Sequence, residues 1–144
     1  VFTEAGVKRA ASVLKGHLKR SKYFQCKRID CFATAVLRNC ANSEAATAAI
    51  EAAIDHKVRV LSAREEAHLG FVGASIGAPL AAGTLIDVGG GSTELVCPSE
   101  DILQSRSVAV GAVRLKERPE LRERLDEILQ GLLPEKNRKL KLEG

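Results

Sequence analysis

The sequence contains no Met, no Trp and one Tyr, and aromatic residues occupy only 3% of its 144 positions. Recognition of RNA or single strands uses aromatic rings on which bases stack, so a nucleic-acid partner is not expected. Long hydrophobic runs are missing too. Ala78-Pro79-Leu80-Ala81-Ala82 is a representative apolar run, far short of the ~20 residues a bilayer-spanning helix needs. No basic stretch followed by an apolar core opens the sequence, so no secretory leader is expected in it. The lack of any Met, even at position 1, suggests a piece of a longer protein. What remains is an ordinary globular balance, 45% hydrophobic and 28% charged, over about one domain's length, which argues against wholesale disorder.

Cysteine is present without pattern. Cys26, Cys31, Cys40 and Cys97 form no CxxC pair, and no His lies near them at zinc-ligand spacing. A cysteine-metal site is therefore not expected. Cys31 and Cys97 fall at apolar positions of strand-like runs, where a free thiol acts as a small hydrophobe. This usage suits a reducing, cytoplasmic setting.

The net charge of +4 is unevenly placed. Residues 1–28 carry eight Lys and Arg against the single acid Glu4, residues 29–105 carry four against ten, and residues 106–144 carry ten against seven. Basic flanks around an acidic middle fit a polyanionic ligand that meets metal-binding carboxylates, although on charge alone two solvated helix faces rich in Lys and Arg are the favoured reading.

Thr3-Glu4 starts a predicted helix in which Val7, Ala10, Ala11, Leu14 and Leu18 recur, ending near the cations Lys19 to Lys22. Arg28 to Ala33 reads as a short buried strand. Asn42-Ser43 caps an Ala-rich helix with Ala46, Ala49, Ile50, Ala53 and Ile54 on one face. Lys57 to Leu61 alternates as a strand, and from Ala63 to Ile76 the pattern is helical, with Leu69, Val72 and Ile76 on one side. Gly77 to Gly83 breaks that helix and marks the expected domain boundary. Three strands follow, Thr84 to Val88, Ser92 to Cys97 and Ile102 to Val110, with a turn at Pro98 to Asp101. Pro119 opens a helix carrying Leu121, Leu125, Ile128, Leu129 and Leu132, and a charged tail begins at Glu135. The expected class is α/β with two unequal halves.

The strongest chemical signal is Asp87-Val88-Gly89-Gly90-Gly91-Ser92-Thr93-Glu94. A strand delivers a carboxylate to its end, and three glycines let the backbone turn with its N–H groups free to cradle phosphate, assisted by the Ser92 and Thr93 hydroxyls. Asp87 and Glu94 supply hard oxygen ligands of the kind Mg²⁺ takes. A plain hairpin turn is the simpler reading of the glycines, but a two-residue turn would serve that purpose. No Gly-Lys-Ser/Thr follows, so it is not a Walker loop. Glu65 and Glu66 open a helix directly after a strand, where the dipole favours anions. Neighbours on a helix lie about 100° apart, so only one of the two can face a cleft. Arg38, just past a strand, is of the type that clamps phosphate, though such an Arg taken on its own is more often a solvated surface cation.

Ala33-Thr34-Ala35-Val36-Leu37-Arg38 with Asn42, the segment Ser62 to Leu69, the segment Asp87 to Val96, and Gly111-Ala112-Val113-Arg114-Leu115 occur in this order. Over residues 1 to 118 they resemble the exopolyphosphatase/guanosine pentaphosphate phosphatase family (Ppx/GppA). The resemblance implies an actin-like/ribonuclease H-like fold of two α/β lobes. Residues 1–82 would form the C-terminal part of the first lobe and residues 83–144 the N-terminal part of the second. It implies hydrolysis, with Mg²⁺, of the terminal phosphoanhydride of inorganic polyphosphate or of the 5′ γ-phosphate of guanosine pentaphosphate. Glu66 falls on the family's catalytic glutamate, which deprotonates the attacking water. Asp87 and Glu94 fall on its metal- and phosphate-site carboxylates, Gly89, Gly90, Gly91, Ser92 and Thr93 on its phosphate loop, and Arg38 on an arginine facing the phosphate chain. A homodimer is the implied assembly of the full-length protein.

The family pattern has Gly where Ala63 stands and Arg where His68 stands. Its first phosphate loop, Asp-x-Gly-Ser-x-Ser, has no counterpart in residues 1–28, so the chain reads as an interior piece that alone would not turn substrate over. An ATPase or kinase of the same superfold, and a non-catalytic binder of alarmone or polyphosphate, are the alternatives.

Overall fold

The computed structural model describes residues 1–76, 84–98 and 103–122. Contacts divide the chain into two units, Val1–Ser62 and Ala63–Gly144. The expected boundary at 82/83 thus lies inside the second unit, because the helix from Ala63 groups with the strands that follow it. The Gly77 to Gly83 breaker, the turn at 99–101 and everything expected beyond Arg122 lie outside the described residues.

In the first unit, Thr3 Oγ1 accepts from the Gly6 amide at 3.1 Å and caps α1 (Glu4–Tyr23). Glu4 in its first turn and Arg20 and Lys22 in its last complement the helix dipole. Its apolar stripe packs with Ile50 and Ile54 of α3 (Ser43–Ile54) around a core that includes Leu37, Ala46 and Val58. Strands β1 (Cys31–Ala33) and β2 (Val58–Val60) pair in parallel, with Cys31 opposite Val58 and Ala33 opposite Val60. Parallel neighbours need a crossover, here supplied by α2 (Ala35–Arg38) and α3. Side chains alternate along a strand, so Cys31 and Ala33 pack on the core while Phe32 points away, under the Arg59 guanidinium at 5.3 Å from its ring centre.

Asn42 occupies the position before α3 but makes no capping hydrogen bond. Its Oδ1 accepts from the Phe2 amide at 2.7 Å and its Nδ2 donates to the Phe2 carbonyl at 2.9 Å. A side-chain amide matches both polar groups of one backbone residue, and that distant partner takes the place of the expected local cap. Glu51 ties α3 to β2: it accepts from the Val58 amide at 2.8 Å and from Lys57 at 3.2 Å. The Val58 amide chiefly, then Lys57, hold its carboxyl below the ordinary glutamate value.

In the second unit, β3 (Leu85–Val88), β4 (Thr93–Pro98) and β5 (Leu103–Val108) form an antiparallel meander in the order β3-β4-β5. Helix α4 (Ala63–Ser75) packs on all three strands. Leu85 faces Val96, Asp87 faces Glu94, and Glu94 faces Ser107, so these side chains share one side of the sheet. That side lies against α4, since a methyl placed on Gly70 would sit 3.4 Å from Asp87 Oδ2. Ala67, one turn from Gly70, is buried, whereas Leu69, Val72 and Ile76 are exposed. The expected apolar side therefore faces outward, because small residues on the other side let the helix come close to the sheet. Helices α2 and α5 (Ala112–Glu117) were not expected from the sequence: at 4 and 6 residues they are too short to show a helical period. Of the helix expected from Pro119, the described part is a 3₁₀ turn, Pro119–Leu121.

All four cysteines are free thiols. Among the described residues, no helix is long and apolar enough to cross a membrane.

Candidate phosphate site

The glycine loop closes with the Gly89 amide donating to the Ser92 carbonyl at 2.9 Å. Gly89 therefore does not offer its N–H to a ligand, as the sequence had suggested. The loop's outward groups are bound to α5. The Ala112 amide donates to Gly89 O at 2.9 Å, and the Val113 and Arg114 amides donate to Gly90 O at 3.0 and 3.2 Å. In a trans peptide the C=O and the following N–H point in opposite directions, and no peptide here is cis. Fixing the Gly89 and Gly90 carbonyls on α5 thus turns the Gly90 and Gly91 amides away from it. Among the described residues these two amides have no protein acceptor. Two consecutive N–H groups aimed the same way form an anion nest.

No described glycine has a positive φ, so the glycines here serve space rather than handedness. A Cβ on Gly89 would lie 3.2 Å from the Ser92 carbonyl oxygen. At Gly111 it would lie 2.6 Å from Gly89 O and from both C and O of Gly90, a distance that real side chains do not tolerate. In the sequence Gly111 stands out only as part of the Gly111 to Leu115 motif; in the structure its lack of a side chain lets α5 close on the loop.

The two hydroxyls assigned to phosphate are buried, Ser92 at 3% and Thr93 at 4% exposure. Thr93 Oγ1, expected to donate to phosphate, here donates its proton to the Val110 carbonyl at 2.6 Å. The residue instead pins the end of β5's continuation to β4. Thr93→Val leaves the Val110 carbonyl buried and unpaired, so it is expected to destabilise the unit by about 1–3 kcal/mol with phosphate affinity kept. Urea melts and phosphate titrations of the same variant check both halves.

Asp87 is exposed at the end of β3, and Glu94, directly opposite on β4, is 1% exposed with Oε1 accepting from Ser107 Oγ at 2.7 Å. Directly paired residues have Cβ atoms about 4.5–5.5 Å apart. No group of three or more His, Cys, Asp or Glu that would hold a metal occurs among the described residues. Two hard carboxylates, one of them open to solvent, fit Mg²⁺, which takes one or two protein carboxylates and keeps waters and phosphates for the rest. They do not make the fuller cage of a structural Zn²⁺ or Ca²⁺ site.

Of the glutamate pair, Glu65 is exposed and Glu66 half-buried. Glu66 lies four residues before Gly70, on the same face of α4 and about 6 Å along its axis from the point where the helix meets Asp87. His68 is exposed. The structure thus brings Glu66, Asp87, Glu94 and the Gly89–Thr93 loop onto one unit. Arg38 belongs to the other unit, half-buried, with Nη1 donating to the Leu61 carbonyl at 3.0 Å.

Residues 1–127 match the sequence profile of the Ppx/GppA phosphatase family. The chain belongs to that family. It is 32% identical to exopolyphosphatase 2 of Mycobacterium tuberculosis over 127 residues, a match covering 81% of this chain and 39% of the relative. The chain therefore spans about two fifths of the length of the curated relatives it matches. Among solved structures it resembles an exopolyphosphatase from Cytophaga hutchinsonii, with a TM-score of 0.76 and 22% identity, over 91% of this chain and 46% of that one. It also resembles the PPX-GPPA enzyme of Aquifex aeolicus, with a TM-score of 0.67 and 24% identity, over 91% and 47%. These likenesses give the fold of the family, actin-like/ribonuclease H-like.

Proposed function

We propose that this chain contributes the water-activating glutamate and a phosphate-holding loop to a phosphoanhydride hydrolase. Its substrate is the terminal phosphate of inorganic polyphosphate, the 5′ γ-phosphate of guanosine pentaphosphate, or both. The observation that carries this reading is the placement of half-buried Glu66 on the helix face that meets Asp87, in the unit whose glycine loop offers the Gly90 and Gly91 amides. The name of the curated relative, an exopolyphosphatase, supports the substrate class.

Phosphoryl transfer to water asks the protein mainly to position the water and to offset negative charge. Gly90 and Gly91 donate to a phosphate oxygen. Glu66 accepts the proton of the attacking water as general base. Asp87, and Glu94 directly or through water, would hold Mg²⁺, which offsets charge on the phosphate oxygens when bound. Arg38 is retained as a cation for the phosphate chain. A homodimer and a cytoplasmic location remain part of the proposal for the full-length protein.

The test is phosphate release by the full-length protein from long-chain polyphosphate, guanosine pentaphosphate and ATP in Mg²⁺ buffer. Release from either of the first two supports the reading; release from ATP alone overturns it. Asp87→Asn is expected to raise the Mg²⁺ concentration giving half-maximal rate, by about tenfold if one ligand–metal contact worth ~1.4 kcal/mol is lost. Undiminished turnover in excess chelator would remove Mg²⁺ from the mechanism.

A further inference from the structure

The basic character of residues 1–28 is not used by the phosphate loop, and the first unit shows where it gathers. A cavity of about 580 Å³ opens between the carboxyl ends of α1 and α3. Lys15, Lys19 and Lys22 line it from one face of α1, at spacings of four and three residues, and Lys27 joins them from the following loop. Among its lining residues Asp55 is the only acid. All four lysines are exposed, and among the described residues none has a carboxylate partner, whereas Lys57, Arg28 and Arg118 each have one.

We propose that this pocket is a second anion site that takes a stretch of inorganic polyphosphate. Lys15 to Lys22 span about 10 Å of helix, which one phosphate ion does not bridge and a run of linked phosphates does. Lysine suits such a ligand as a mobile point charge, with no bidentate geometry required. No Phe, Tyr or Trp lines the pocket, and His56, the one aromatic ring in its lining, is tied by its Nε2 to the Ile29 carbonyl, so the pocket offers little platform for base stacking.

The site is separate from Arg38. His56 and Ile29, which line the pocket, precede β2 and β1, and His56 Nε2 donates to the Ile29 carbonyl at 3.1 Å. Arg38 follows β1 and bonds Leu61, which follows β2. The two places therefore lie at opposite ends of a strand pair about 10 Å long. The choice of polyphosphate among polyanions rests on the proposed function; the anion site itself does not.

Cys26 lines the pocket and is the exposed cysteine of the four, so its alkylation reports occupancy. The experiment follows Cys26 modification by iodoacetamide, read by peptide mass, with defined-length polyphosphate, orthophosphate or a single-stranded RNA of equal charge. Polyphosphate alone is expected to protect Cys26, with protection fading as salt is raised. Lys15→Gln/Lys19→Gln/Lys22→Gln is expected to weaken polyphosphate binding about 10- to 100-fold without altering the far-ultraviolet circular dichroism. Glu66→Gln should leave protection unchanged. Equal protection in the triple variant, or RNA protecting better than polyphosphate, overturns the proposal. Protection that persists in a protein with no phosphate release would instead mean that the anion site stands and the hydrolase reading fails.

Discussion

Replacing Glu66 with Gln is expected to lower kcat by about 10²–10⁴ while leaving substrate affinity nearly unchanged. The amide keeps the shape and the half-buried position of the side chain but cannot accept the proton of the attacking water. In the proposed mechanism the Gly90 and Gly91 amides hold the phosphate, so ground-state binding would not depend on that proton transfer. Glu65, which is exposed on the neighbouring direction of α4, supplies the internal control. Glu65→Gln should retain most of the rate, since a helix that turns position 66 toward the sheet turns position 65 about 100° away. Steady-state phosphate release from polyphosphate by the two variants decides the matter. A large loss from Glu65→Gln with an active Glu66→Gln would reverse the choice within the pair.

The second large effect is structural and concerns Gly111. The added methyl of Gly111→Ala would meet three backbone atoms of Gly89 and Gly90 at 2.6 Å, and backbone cannot step aside as a flexible side chain can. Either the loop or α5 must move, breaking the three amide-to-carbonyl bonds that orient the nest. We expect a loss of about 2–4 kcal/mol, at or above the upper end of ordinary overpacking. That corresponds to a fall in melting temperature of roughly 10 °C or more for a unit of this size. Phosphate affinity should fall with it. Gly73→Ala is the matched control: nothing lies within 4 Å of the position, and a glycine inside a helix is replaced by the best helix former. That variant should be neutral or more stable by up to about 1 kcal/mol. A Gly111→Ala protein that melts and binds phosphate like the wild type would show that α5 does not hold the loop.

Much of the local structure was legible because it depends on short-range chemistry. The Thr3 cap, the stripe from Val7 to Leu18 and the Ala-rich helix ending at Ile54 all follow from helical spacing, and the three strands of the meander follow from apolar runs between turn residues. The Asp87 to Glu94 loop was legible for the same reason: a strand, three glycines and two flanking carboxylates are contiguous in the chain. Helical geometry limited the choice between Glu65 and Glu66 to one residue, and the family resemblance, not the local pattern, pointed to Glu66.

Tertiary structure decided what contiguous residues could not. Whether Glu66 or Glu65 turns inward depends on which side of α4 meets the sheet. That in turn depends on Ala67 and Gly70 being small, not on where Leu69 and Val72 fall. Thr93 looked like a phosphate donor because its hydroxyl is polar and near the loop; its proton goes to Val110, a partner 17 residues away. Asn42 similarly exchanges a local cap for Phe2, 40 residues distant. Periodicity and turn chemistry act over a few residues and can be read along the chain. Hydrogen-bond partners and close approaches are set by which distant backbone arrives alongside, so the orientation of the Gly90 and Gly91 amides depended on where α5 came to rest.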